Sequence, residues 1–146
     1  MLRVVIDTNV FISGVLVEES NPSIVLKAWK RMQKYQLFIT EEIIQEILRV
    51  MKELNISADI IAGWNKVIRK NAIPVAPTRK IEAVKEDPSD NKFIECAIES
   101  CADYIVTGDK HLRRLNEFEG VKIVNPRKFL DILSSCKDMA RDEETT

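Results

Sequence analysis

Asp87-Pro88-Ser89-Asp90-Asn91, then Phe93, Ile94, Ala97, Ile98 and Cys101 at helical spacing, then Tyr104-Ile105-Val106-Thr107-Gly108-Asp109: this is the stretch that decides the fold. Apolar residues recurring every three or four positions call for a helix, Ala102-Asp103 interrupts it, and the β-branched run after Tyr104 reads as a short buried strand. One helix-and-strand unit therefore carries three aspartates at its two ends. Asp87 and Asp90 stand at the helix start, and Asp109 stands just beyond the strand end.

The same alternation extends outward in both directions. Leu2 to Ile6 is apolar and β-branched apart from Arg3, which is the pattern of a central parallel strand covered on both faces, and it stops abruptly at Asp7-Thr8-Asn9. Asn21-Pro22 has the chemistry of a cap followed by proline at the first helical position, so the first crossover helix is expected from Pro22 to about Gln33. Leu37-Phe38-Ile39 is a second strand. Thr40 then caps a helix to about Leu54, with Glu41 and Glu42 in the first turn, where the helix dipole favours anions. In that helix Glu46 lies nearer the apolar edge than Glu42 or Glu53, which makes it the acid best placed to face inward. Ser57 starts a third helix that stops at Asn71, and Pro74 and Pro77 enforce extended chain. On the other side of the deciding stretch, Lys110 to Phe118 is expected as a short helix or turn, Val121 to Val124 as a strand, and Asn125-Pro126 as the cap of a last helix.

Strands alternating with helices give an α/β domain, a three-layer sandwich whose central, mainly parallel sheet is flanked by helices. The chain has 146 residues, 45% of them hydrophobic, which suits one domain over residues 1–136; the charged residues 137–146 lack apolar periodicity and are expected to be a disordered tail. Twenty-two Lys and Arg against 23 Asp and Glu leave a net charge of -1, so any grip on nucleic acid must be local. The N-terminal apolar run is short for a signal peptide and no run reaches transmembrane length, so a cytoplasmic protein is expected. Cys96, Cys101 and Cys136 are odd in number, have no Cys-x-x-Cys spacing and are joined by one histidine, which indicates neither a disulfide framework nor a zinc site.

In such a sheet, ligands bind beyond the carboxyl ends of the strands, which puts Asp7 and Asp109 on one edge. Asp87 or Asp90 joins them if a strand precedes their helix, and the segment Pro74 to Pro77 can supply it. Two carboxylates about 4 Å apart repel by roughly 4 kcal/mol at an effective dielectric of 20, so a cluster of them must be protonated or hold cations. An all-oxygen donor set favours Mg²⁺ or Mn²⁺, and Mg²⁺ sites commonly share their ion with substrate phosphates. Phosphodiester hydrolysis is the chemistry such ions serve.

Each acid also has a plainer reading. Asp87 can be a helix cap with Pro88 in the first turn and Asp90 reaching back to the cap amide, Gly108-Asp109 an ordinary turn, and Glu46 a solvated helix acid. Asp7 resists this, because a charge ending a doubly buried strand needs a partner or a site. Thr8, Asn9 and Thr107 either orient the acids or serve turn chemistry. Lys92, Lys110, His111, Arg113 and Arg114 either contact a phosphate backbone or lie on solvated helix surface. Trp29 and Trp64 fall on apolar helix faces and read as core.

Taken together, these residues resemble the PIN-domain family, small Mg²⁺- or Mn²⁺-dependent nucleases that include the toxins of many prokaryotic toxin–antitoxin pairs. The resemblance spans about Leu2 to Leu133. Val4-Val5-Ile6-Asp7-Thr8-Asn9-Val10 is similar to the family's opening strand, Glu46 to its helix glutamate, Asp87-Pro88-Ser89-Asp90-Asn91 to its second acidic motif and Thr107-Gly108-Asp109 to its third. It implies that Asp7, Glu46, Asp90 and Asp109 form the catalytic, metal-binding centre, with Asp87 as an auxiliary acid. It implies RNA as substrate, an antitoxin as partner and a homodimer as the frequent assembly.

Three other classes compete. A haloacid-dehalogenase-type phosphatase needs a second aspartate two residues after the first, where this chain has Asn9, which cannot protonate a leaving group; a response-regulator receiver domain needs an early acidic pair that the first strand lacks. A non-catalytic RNA-binding or scaffold protein of the same fold would be expected to have lost an acid, and none is missing.

Overall fold

The first strand, β1 (Arg3–Ile6), has buried side chains at Val4, Val5 and Ile6 in succession, without the alternation of a half-exposed strand. Consecutive burial means that both faces are covered. The same holds for Leu37, Phe38 and Ile39 in β2 (Gln36–Ile39), and for Ile105 and Val106 in β4 (Tyr104–Val106). With β3 (Ile73–Pro74), β5 (Glu117–Phe118) and β6 (Val121–Val124) these strands form one sheet of order β3-β2-β1-β4-β6-β5, in which every pair is parallel except β5 with β6. This computed structural model describes residues 1–145, with side chains through residue 135.

Helices flank the sheet: α1 (Thr8–Leu16), α2 (Asn21–Lys30), α3 (Glu41–Glu53), α4 (Ala58–Asn71), α5 (Asn91–Glu99), α6 (Lys110–Leu115) and α7 (Pro126–Thr145). The expected α/β sandwich is thus the one formed. α5 packs on β1, β2 and β4, while α2 packs on α1 and α7. Aromatic rings tie these layers together, Phe11 edge-on to Trp29 and Trp64 at centroid distances of 6.4 and 5.4 Å, and Tyr35 edge-on to Phe129 at 5.1 Å. Trp29 is buried and belongs to the core, as its helical face implied. Cys96 is buried, and burial pushes its thiol up to about 12. The disordered tail expected over residues 137–146 lies outside the residues whose side chains are described. Among the described residues, no helix is long and apolar enough to cross a membrane.

Three local expectations need correction. Residues Val10 to Val17, given no element from sequence, mostly belong to α1, which starts directly after β1 and precedes the helix expected as the first crossover. Thr8, Val10, Phe11 and Ile12 are all buried, so this helix has little polar face and no amphipathic signature. It meets α2 closely at Gly14, where an added Cβ would lie 2.7 Å from a Leu26 side-chain carbon and 2.8 Å from the Pro22 carbonyl oxygen. The cap of α2 is Ser20, not Asn21: the Ser20 hydroxyl accepts from the Ser23 N–H at 3.2 Å and donates to the Val17 carbonyl at 2.6 Å. Ser20→Ala is therefore expected to cost about 1 kcal/mol in urea unfolding and Asn21→Ala clearly less; the reverse order would restore the sequence-based assignment. Finally, Glu117-Phe118 is a strand rather than the end of a helix or turn. It pairs with β6 through the two-residue turn Glu119-Gly120, both at positive φ (47° and 89°), the conformation that hairpin turns of this length favour.

The segment between β3 and the 3-10 turn at Pro88–Asp90 has no regular structure, yet it is anchored along its length. Ile81 and Val84 are buried, the Ile81 N–H donates to Glu95 at 3.0 Å, and Arg79 makes two 3.0 Å hydrogen bonds to Glu119. The Asn91 side-chain amide pairs with both backbone groups of Val84, at 2.8 and 3.3 Å. These bonds fix where the chain re-enters at α5, and hence where Asp87 and Asp90 lie.

Candidate metal centre

Strand order reverses between β1 and β4: β2 and β3 extend to one side of β1, while β4, β6 and β5 extend to the other. In open α/β sheets the crevice at such a reversal, beyond the carboxyl ends of the strands, is where ligands bind. Asp7 follows β1 directly and Thr107-Gly108-Asp109 follows β4, so the two motifs are neighbours across this point. β3 supplies the preceding strand on which the convergence of Asp87 and Asp90 depended, one residue earlier than the Pro74 to Pro77 segment proposed for it.

Asp7 ends β1 and caps α1. Its Oδ1 accepts from the Asn9 N–H at 2.5 Å and the Val10 N–H at 3.3 Å, and its Oδ2 accepts from the Thr107 hydroxyl. The same Thr107 oxygen accepts from the Asp109 N–H at 2.9 Å. One fully buried hydroxyl thus joins the end of β1 to the motif after β4. Asp109 in turn caps α6, accepting from His111 N–H at 2.7 Å and Leu112 N–H at 3.2 Å through Oδ1. Both acids are locked by helix-start amides, which leave them little rotational freedom.

Asp87 and Asp90 are not held as caps. Neither side chain bonds to a helix-start amide; Asp87 Oδ1 accepts from the Ser89 hydroxyl at 2.5 Å, and Asp90 Oδ2 is buried without any hydrogen-bond partner. The capping explanation of the Asp87-Pro88-Ser89-Asp90 stretch is therefore wrong. Carboxylate oxygens of Asp87, Asp90 and Asp109 lie within 4.8 Å of one another, a separation at which a divalent ion can bridge them. Asp87, expected as auxiliary, belongs to this close group, while Asp7 and Glu46 lie outside it.

Electrostatics follow from this crowding. Burial first, then repulsion from Asp109, Asp87 and Asp7 in that order, pushes Asp90 up to about 7, and Lys92 pulls the other way. Burial also raises Asp7, against the hydrogen bonds from Thr107 and from the Asn9 and Val10 amides, and repulsion from Asp109 adds to the rise. An unpartnered buried oxygen facing two further carboxylates, with only oxygen donors nearby, fits a hard divalent cation.

Glu46 is half-buried on α3 and forms an ion pair with Lys92 of α5. Lys92, expected as an RNA contact, is corrected here: it is buried, because its ammonium is drawn inward by Glu46 and donates to the Ser89 carbonyl at 2.6 Å. Lys110, Arg113 and Arg114 are exposed on α6, on the helix that Asp109 caps. His111 is half-buried with Nδ1 lacking a partner; the Thr8 hydroxyl likewise lacks one, and Asn9 contributes its backbone N–H rather than its side chain. Sequence reasoning missed the inward Lys92 and the Asn91 clamp. The signal for both was position: they directly follow Asp90 at the start of a helix whose next residues are apolar and buried.

A family model described as PIN domain matches residues 3–111, a span that contains Asp7, Glu46, Asp87, Asp90 and Asp109. The crystal structure of PAE2754 from Pyrobaculum aerophilum is similar over 92% of this chain and 90% of that one, with a TM-score of 0.55 at 15% identity, which is a likeness of fold. No curated protein matches the chain. The strand-end acids, the switch-point geometry and the matched span agree: the chain belongs to the PIN-domain family, whose members are generally nucleases that use divalent metal ions.

Proposed function

We propose that this protein is an endoribonuclease that hydrolyses RNA phosphodiesters with Mg²⁺ or Mn²⁺. The observation that carries the reading is the buried, unpartnered Asp90 Oδ2 inside the close group of Asp87, Asp90 and Asp109. Asp90 and Asp109 would hold the ion, with Asp87 beside them and Asp7 supplying negative charge from the end of β1. When bound, such an ion polarises a phosphoryl oxygen and lowers the pKa of water.

The chain's own residues do the positioning. Thr107 fixes Asp7 and Asp109 relative to each other, and the helix-start amides of α1 and α6 hold both carboxylates in place. Lys110 and Arg113, exposed beside Asp109, are suited to contact RNA phosphates, which orients the chain without reading its sequence. We extend the reading to a cytoplasmic toxin of a toxin–antitoxin pair, acting as a homodimer and restrained by an antitoxin protein.

Incubation of the purified protein with single-stranded RNA and Mn²⁺ tests the activity. Products bearing 5′-phosphates are expected, absent with EDTA and reduced by about three orders of magnitude in Asp7→Asn, the equivalent of several kcal/mol of lost stabilisation. Equal cleavage by wild type and variant would remove the reading.

A further inference from the structure

Glu46 and Lys92 form the one ion pair among the described residues in which both side chains are largely buried, 21% and 9% exposed, whereas the other three pairs are exposed surface contacts. Surface pairs are worth little, but a buried pair holds its members where they are, because breaking it strands a charge. The Lys92 ammonium has three donors. One meets Glu46 and one meets the Ser89 carbonyl, and the side chain lies with Nζ 5.1 Å from the centre of the Phe93 ring. Ser89 lies with Pro88 between Asp87 and Asp90 in the 3-10 turn, and its hydroxyl already holds Asp87.

The connection therefore runs Glu46 to Lys92 to the Ser89 backbone, and from Ser89 to Asp87 on one side and Asp90 on the other. Neither acid of the turn is held by a helix-start amide, so this carbonyl contact acts beside the backbone bonds from Asp90 N–H to the Asp87 carbonyl at 3.0 Å and from Asn91 N–H to the Pro88 carbonyl, and beside the Ser89 hydroxyl on Asp87, in shaping the turn. Glu46 itself has its carboxylate turned to Lys92 and stands outside the close group of acids.

We propose that Lys92 is a positioning residue for the metal centre, and that Glu46 acts through Lys92 instead of as a ligand. The buried ammonium holds the Asp87–Asp90 turn in the conformation that aims both carboxylates at Asp109, and Glu46 anchors the ammonium. This inference rests on the metal-dependent reading given above.

The test is a double-substitution cycle read by Mn²⁺ affinity, from electron paramagnetic resonance titration of free Mn²⁺ without RNA. Lys92→Met is expected to weaken Mn²⁺ binding by about tenfold or more, the usual effect of removing a group that orients ligands. Adding Glu46→Gln to Lys92→Met should then change the affinity no further. A further loss of about tenfold on adding Glu46→Gln would show that the glutamate binds the ion directly and would overturn the proposal, as would an unchanged affinity in Lys92→Met. Lys92→Gln, whose amide can still bond to both partners, provides the neutral background if the methionine variant fails to fold. The wild-type titration separates the two readings: absence of Mn²⁺ binding removes the metal-dependent reading and this inference with it, whereas wild-type binding with an additive cycle removes only the inference.

Discussion

Asp90→Asn is expected to abolish Mn²⁺ binding and cleavage while raising the melting temperature of the metal-free protein. The two effects share one cause. In the absence of an ion, Asp90 faces Asp87 and Asp109 with carboxylate oxygens within 4.8 Å, and its buried Oδ2 has no donor. At that separation and an effective dielectric of 20, each ionised pair repels by roughly 3 kcal/mol, an upper figure for a site partly open to solvent. Asparagine has nearly the same shape, removes the charge, and places amide donors where the neighbouring carboxylates can accept them. A gain of only about 1 kcal/mol would appear as a rise of about 2–4 °C in a domain approaching 150 residues. Catalysis moves the other way, because several kcal/mol of metal-supplied charge stabilisation corresponds to about a thousandfold in rate. Scanning calorimetry in EDTA, beside an RNA cleavage assay, separates this from structural damage. A variant that melts below wild type in EDTA would show that the Asp90 carboxylate supports the fold, contrary to its unpartnered position.

The trade between stability and site explains what was legible in the sequence and what was not. β1 and β4 were legible because strands covered on both faces must be apolar throughout, and Val4-Val5-Ile6 and Tyr104-Ile105-Val106 satisfy that in a few residues. The acids at their ends were legible for the complementary reason, since charge at the end of a buried strand is costly without a purpose. α1 was not legible because apolar residues occupy its outer positions as well as its buried ones, Leu16 being half exposed, so the sequence shows no helical periodicity; its only local sign was Asp7, whose cap bonds to Asn9 and Val10 look the same in sequence as a strand exit. Asp87 and Asp90 misled in the opposite direction. Asp-Pro-Ser-Asp has the composition of a helix start, yet the cap bonds are not made and the carboxylates point elsewhere. Glu46 was correctly placed at the inner edge of α3, but its partner depended on a lysine 46 positions later, a long-range pairing that periodicity cannot register.

The metal-free protein is expected to become more stable as the pH falls from about 8 to about 5.5, and added Mn²⁺ is expected to invert that trend. Asp90 titrates at about 7 in the folded protein against an ordinary value of 3.8, raised by burial and then by its neighbouring carboxylates. Between these two values the folded state binds a proton that the unfolded chain does not. Stability therefore falls with rising pH across that window: the contribution is fully present below the unfolded value and is lost as the pH climbs through about 7. Asp7, also raised, adds in the same direction. Opposing groups act lower on the scale. Glu41 is held down to about 2 by Arg69 and Gln45, and Glu119 is lowered by Arg79, so their contributions are lost only as the pH falls below the ordinary glutamate value of 4.5. The metal-free optimum should accordingly lie on the acid side of neutrality rather than above it. A divalent ion needs the same carboxylates deprotonated, so it competes with the proton and binds more tightly at the higher pH. At a hundredfold excess over its dissociation constant it would add about 2.7 kcal/mol to the folded state, enough to outweigh the repulsion near pH 8 and much less effective near pH 5.5. Thermal melts at both pH values, with EDTA and with Mn²⁺, decide the matter. A pH-independent melting temperature in EDTA would mean that neither burial nor the neighbouring carboxylates raise Asp90; an equal Mn²⁺ shift at both values would mean that the ion binds away from Asp90. The inverted pattern, with metal dependence abolished in Asp90→Asn, would place proton and ion on the same carboxylates.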